Sequence, residues 1–258
     1  MDDIIQRYVL SLEWIRKKLL DMDRSIGPIM GINDWDDATC IKFGNKKLIA
    51  SIDGPYTKRL VMKSALIHAA TDVIVKGAKP LFALDALIGN QQDLSEMISS
   101  LKNQARAMKI PILGGNTLFE DIEPRCTITV IGELIKNPIR DSTAKGNDII
   151  ALLGNPIWGS QKERIKIARI LFKTWFKILN SGIKINASKD VTKGGILSVF
   201  YEMSKKSKKE FKINEDLPFP LARNLDNFLI TLSESEYQKI IRICKNYNCG
   251  IYEIGRVI

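Results

Sequence analysis

The chain has 258 residues, 39 of them Lys or Arg and 29 Asp or Glu, for a formal net charge of +10. Hydrophobic residues at 45% and charged residues at 26% are globular values, which exclude a disordered or collagen-like chain. No apolar run approaches the ~18 residues of a spanning helix, and the start MDDIIQRYVLSLEWIRKK reverses the order of a signal peptide, so a cytoplasmic protein is expected.

Residues 4–20 carry Ile5, Tyr8, Leu12, Ile15 and Leu19 at helical spacing, with Asp2 and Asp3 in the first turn. A polar stretch follows, then two short strands, Thr39–Phe43 and Lys47–Ile52, around the turn Gly44-Asn45. Met62, Ala65, Leu66, Ala69, Val73 and Ile74 mark a helix that stops at Gly77, before Pro80. Residues 80–87 read as a strand, Leu94 to Ala105 as a helix, and Ile110–Leu113 and 126–134 as strands. The polar, turn-rich segment 136–148 marks a boundary between domains 1–138 and 139–258. Beyond it come a strand at 149–153, a helix at 161–180 and a helix near 194–204. A strand at 227–232, a helix at 234–247 and a strand at 250–257 complete an α/β or α+β chain.

Charge is uneven: residues 1–140 carry 19 basic and 17 acidic side chains, residues 141–258 carry 20 and 12. The surplus therefore lies in the second half, densest at Lys205, Lys206, Lys208, Lys209 and Lys212, which reads as a solvated loop between helix and strand. Without interleaved aromatics it makes a poor nucleic-acid groove. Cys40 and Cys126 sit among β-branched residues and read as buried small hydrophobes. With His68 the only histidine, neither a zinc site at Cys244 and Cys249 nor a Ser-His-Asp triad is expected.

The acidic residues of the first half are the chemical signal. Asp34, Asp36 and Asp37 precede a strand, Asp53 ends the next, and Asp72 interrupts a helix face of Ala and Gly. A carboxylate there is costly to bury unless something positive meets it; His68, one turn earlier, is a possible partner. Strand-end carboxylates from several elements suit a hard cation such as Mg²⁺. Two glycine-bearing segments, Gly114-Gly115-Asn116-Thr117 after a strand and Asp190 to Gly195 before a helix, read as anion-holding loops. Neither is a P-loop or a dinucleotide fingerprint.

The order of these pieces resembles the aminoimidazole ribonucleotide (AIR) synthetase superfamily: DDA, SIDGP, ATDVIVKGAKP, GGNT, TITVIG, R-x3-AKGND and DVTKGG, collinear from residue 31 to about 200. Its members include that synthetase, thiamine monophosphate kinase, selenophosphate synthetase and the hydrogenase-maturation protein HypE. The resemblance implies a PurM-like two-domain fold, with N-terminal strands forming a dimer barrel and a C-terminal α/β domain covering the site. It implies a homodimer that binds ATP and Mg²⁺, with Asp36, Asp37, Asp53 and Asp72 as metal ligands and Gly114, Gly115, Asn116 and Thr117 beside the nucleotide. Asp190 and Lys58 would be catalytic, Lys58 by neutralising phosphate. The implied activity is phosphotransfer to, or activation of, an acceptor oxygen on a small metabolite, by chemistry like that of thiamine monophosphate kinase or HypE. The alternative is a catalytically reduced nucleotide-binding regulator or maturation factor. Asn116 stands where most branches carry an acid, and residues 1–35 lack the cysteine of selenophosphate synthetase. Thiamine monophosphate kinase is the branch least contradicted, and an archaeal AIR-synthase-related branch fits the whole. No membrane or nucleic-acid partner is expected.

Overall fold

The computed structural model describes residues 2–258; the side chains of Asp2 and Tyr8, given roles above, lie outside the described residues. The expected first helix is broken in two, α1 (Asp2–Tyr8) and α2 (Glu13–Leu19), by a 3-10 turn over Leu10–Leu12. The Ser11 hydroxyl donates back to the Arg7 carbonyl at 2.7 Å, a bond that bends helices.

The first sheet begins with β1 (Thr39–Phe43) and β2 (Lys46–Thr57), followed by a single turn, α3 (Lys58–Val61), and then α4 (Ala65–Val75). Next come β3 (Ala78–Gly89), α5 (Gln91–Met108), β4 (Ile112–Phe119) and β5 (Arg125–Leu134). Strand order is β1-β2-β5-β3-β4, antiparallel except for the β3/β4 pair, which α5 joins by a crossover.

The second half supplies β6 (Ile149–Leu153), α6 (Gln161–Asn180), β7 (Ala187–Asp190) and α7 (Gly195–Ser207). It ends with β8 (Phe211–Ile213), β9 (Phe228–Leu232), α8 (Glu234–Tyr247) and β10 (Ile251–Val257). These strands form an antiparallel sheet ordered β7-β9-β6-β10-β8. The chain is thus a mixed α/β protein of two sheets.

Helix α4 is the pivot. Its Ala65, Ala69 and Ala70 let it press on the first sheet, while Ile74 offers its carbonyl to the buried Trp175 indole of α6 at 2.6 Å. Trp175 packs edge-on against Phe228 of β9, so one continuous apolar core joins both halves.

Two expectations change here. Gly114 to Thr117 form no loop: they pair in register with Leu84 to Leu87 of β3 as part of an edge strand. Gly115 is small for a packing reason, because a Cβ there would collide with the carbonyl and carboxyl of Asp85. The lysine run is the expected solvated loop only in part: Lys208 and Lys209 lie exposed between α7 and β8. Lys205 and Lys206 close α7, Lys212 lies in β8, and the Lys206 ammonium is sequestered against Asp141 at 2.6 Å and the Trp35 carbonyl.

Opposite the helices, the first sheet leaves a face open. Rows of paired residues run across it: Ile52, Thr129, Leu84 and Gly114 in one, Thr127, Ala86 and Asn116 in another. Ile52 is 69% exposed and Leu84 and Leu118 are also exposed.

Candidate functional site

The loop before β1, the middle of β2, helix α4 and the end of β7 bring the predicted aspartates around one helix, in two different environments. In the first, Asp36 and Asp37 meet Lys76, the residue that caps α4. Its ammonium lies 2.5 Å from Asp36 Oδ1 and 3.0 Å from Asp37 Oδ2, donates to the Ser188 carbonyl at 2.6 Å, and is wholly buried. Lys189 of β7 also holds Asp37, with Glu202 of α7 at 3.4 Å. Asp141, whose N–H donates to Asp36 Oδ2 at 3.1 Å, is held in turn by Lys206.

Burial opposes every charge here, and pairing overcomes most of that opposition. It works against the Lys76 ammonium, but Asp36 and Asp37 lift its pKa above the usual lysine value. It works against the Asp37 carboxylate, but Lys189 and Lys76 hold the pKa well below the usual range. For Asp141, burial and the Asp36 charge prevail and raise the pKa to about 6.

In the second environment, among the described residues, no lysine forms an ion pair with Asp72 or Asp190, although the Lys189 charge is felt at Asp190. Asp72 Oδ2 accepts from the Ser51 hydroxyl at 2.7 Å, and Asp190 Oδ2 accepts from Thr71 Oγ1 at 3.2 Å. Burial, then the charges of Asp190, Asp53 and Asp37, push the Asp72 carboxyl well above its ordinary value. Burial and Asp37 likewise lift Asp190 to about 7. In both acids the shared field favours the protonated form.

His68 does not pair with Asp72. Its ring bridges the halves, Nδ1 lying 2.5 Å from Asp226 Oδ1 and Nε2 3.2 Å from Asp53 Oδ2. Burial disfavours its charge, yet Asp226 and Asp53 raise the pKa well above the ordinary histidine value. Arg164 lies 3.9 Å from the other Asp226 oxygen. Lys58 is turned away from the cluster, onto Asp93 and Glu96 of α5 at 2.6 Å each.

The structure therefore gathers Asp37, Asp53, Asp72 and Asp190 into one electrostatic neighbourhood and leaves Lys58 and the Gly114–Thr117 strand outside it. Among the described residues, no three His, Cys, Asp or Glu side chains form a ready cage for a metal ion. Sequence reasoning missed Lys76, Lys189, Asp141 and Asp226. Lys76 stands inside ATDVIVKGAKP and Lys189 precedes Asp190, so a charge opposite each aspartate was there to be asked about.

Residues 35–134 match the family described as AIR synthase related protein, N-terminal domain, and residues 175–258 its C-terminal domain counterpart. The chain is 37% identical over 257 residues to the uncharacterized protein MJ0799 of Methanocaldococcus jannaschii, covering 97% of this chain and 85% of that one. Its fold matches HypE in a HypE-HypF complex with a TM-score of 0.70 at 22% identity, covering 88% of each chain. It also matches AaThiL complexed with AMPPCP and TMP, with a TM-score of 0.64 at 18% identity over 86% of this chain and 84% of that one. Among the described residues, no helix is long and apolar enough to cross a membrane.

Proposed function

The chain belongs to the AIR synthase-related family, with its PurM-like fold, and on that premise we propose that it is an ATP- and Mg²⁺-dependent phosphotransferase acting on an oxygen of a small metabolite. One observation carries the reading: Asp53, Asp72 and Asp190, from β2, α4 and β7, gather in one largely buried neighbourhood where the carboxylates outweigh Lys189 and His68 and push the Asp72 and Asp190 carboxyls upward. Mg²⁺ prefers oxygen ligands, keeps several waters, and needs only one or two carboxylates when it arrives with phosphates. Asp72 and Asp53 fit that requirement and would hold it; when bound, the ion neutralises the phosphate oxygens.

Asp190, with a pKa of about 7, is suited to take the proton of an acceptor hydroxyl near neutral pH. Lys58 has no role in this reading, because Asp93 and Glu96 already engage it. Residues 1–138 would form the nucleotide-binding and dimerising half and 139–258 the cover. The open apolar face around Ile52 and Leu84 supports a homodimeric barrel, since such patches mark association surfaces. Asn116 lies on that face, so its contact with nucleotide depends on the barrel.

A second reading, a nucleotide-binding regulator with reduced turnover, is favoured by the lysines on Asp36 and Asp37, which neutralise two expected ligands internally. Calorimetric titration of Mg-AMPPNP into wild type and Asp72→Asn tests both. Mg²⁺-dependent binding lost in the variant supports the site; no binding to folded wild type overturns it. Binding without ADP release across an acceptor screen selects the regulator.

A further inference from the structure

Beneath the C-terminal half of α5 lies a recess of about 650 Å³, within the usual size of small-molecule sites. It is separate from the aspartate cluster. Asp53, Ile128, Asp85 and Gly115 form one row across the first sheet, which sets Asp85 two strand spacings, about 10 Å, from Asp53, with buried Ile128 between them.

The middle of the recess is apolar: Leu101 and Ala105 of α5 on one wall, Pro111 and Ile112 on the other. Its polar groups are few and divided. Lys102, Arg106 and Lys109 come from α5 and its cap, where spacings of four and three residues bring side chains to one side of a helix. None of them has an ion-pair or hydrogen-bond partner for its side chain among the described residues. Cations in a last helical turn complement the helix dipole, which accounts for Arg106 but not for Lys102, a turn earlier.

Asp85, from β3, lines the same recess and is paired with none of the three cations. Opposite charges in one recess that remain unpaired are held apart, and the surface between them is apolar. We propose that the recess binds a small amphipathic anion. Its carboxylate or phosphate lies against Lys102, Arg106 and Lys109, its apolar body on Leu101 and Ile112, and a hydroxyl or ammonium at its far end on Asp85. Gly115 serves this arrangement by leaving space for the Asp85 carboxyl.

The test titrates octanoate, octyl phosphate, octanol and 8-aminooctanoate into the full chain. Saturable 1:1 binding of an octyl anion, weakened about tenfold or more in Lys102→Glu/Arg106→Glu, with octanol much weaker, is the expected result. The better of octanoate and octyl phosphate identifies the head group. An advantage of 8-aminooctanoate over octanoate that disappears in Asp85→Asn assigns the far end. Both cations of the double variant are exposed, so its fold is preserved, which circular dichroism verifies. No saturable binding by either anion, equal binding in the double variant, or octanol binding as well as octanoate overturns the proposal. Mg-AMPPNP affinity is unchanged in the double variant, so this result and that for the nucleotide site are read separately.

Discussion

Asp37 and Asp190 are both largely buried, sit in each other's field, and are pushed in opposite directions. Asp37 pairs with two ammonium groups and stays ionised; for Asp190, burial and the Asp37 charge outweigh Lys189 and His68 and raise the pKa to about 7. Lys189, the direct neighbour of Asp190, forms its ion pair with Asp37, because successive side chains of a strand point to opposite faces, and reaches Asp190 only through its charge. One set of acids is thus neutralised within the chain and locks its halves together. The other has no ion-pair partner and is pushed toward the protonated form, a field that a bound cation would relieve.

Removing the cation from the locked side breaks this contrast most severely. Lys76→Met leaves Asp36 and Asp37 short of a buried partner, and the expected loss is about 3–5 kcal/mol, measured by urea denaturation. Adding Asp36→Asn recovers part of it.

On the open side the contrast is sharpened by pH. The folded state holds the Asp190 proton more tightly than the unfolded chain, whose reference value is 3.8. Below that value both states are protonated. As pH rises from there to about 7, only the unfolded chain releases the proton, so ligand-free stability falls, by on the order of 4 kcal/mol. Asp190→Asn flattens this slope in denaturation midpoints taken from pH 4 to 8; an unchanged slope refutes the assignment.

His68→Asn tests the bridge between the halves, with an expected loss of about 2 kcal/mol. Because the folded-state pKa of His68 is raised, its stabilisation is complete below the ordinary 6.5 and is lost only as pH climbs through the raised value. The variant's deficit is therefore largest on the acid side. Smallest is Asn116→Asp on the exposed edge strand, which leaves stability within about 0.5 kcal/mol. Tighter Mg-AMPPNP binding in that variant would assign Asn116 to the nucleotide.

Much of the fold was legible. Helix α8 and helix α6 fall on the expected 234–247 and 161–180, because each pairs a clear apolar period with terminal signals: a Ser160–Glu163 capping box for α6 and the left-handed Asn248 after α8. Strand β7 was not legible, since Ala-Ser-Lys-Asp has no apolar alternation, yet all four residues are buried. The GGNT segment misled for the opposite reason: its glycines read as an anion-holding loop, although they lie in a ladder where Gly115 serves close packing. For the site, the resemblance drew attention to the aspartates but not to their partners. Lys189 and Asp37 are 152 positions apart, and Lys206 and Asp141 are 65 apart, distances that leave no local pattern.

The same separations order events during synthesis. Asp36 and Asp37 leave the ribosome early and find Lys76 soon after, but Lys189 and Lys206 follow only when most of the chain has been made. The first half must therefore wait, its acids partly unmatched, for β7 and α7 before its final packing. Nascent chains stalled before Lys189 are expected to be cut readily in the loop around Asp36, and chains stalled well beyond Lys206 to resist.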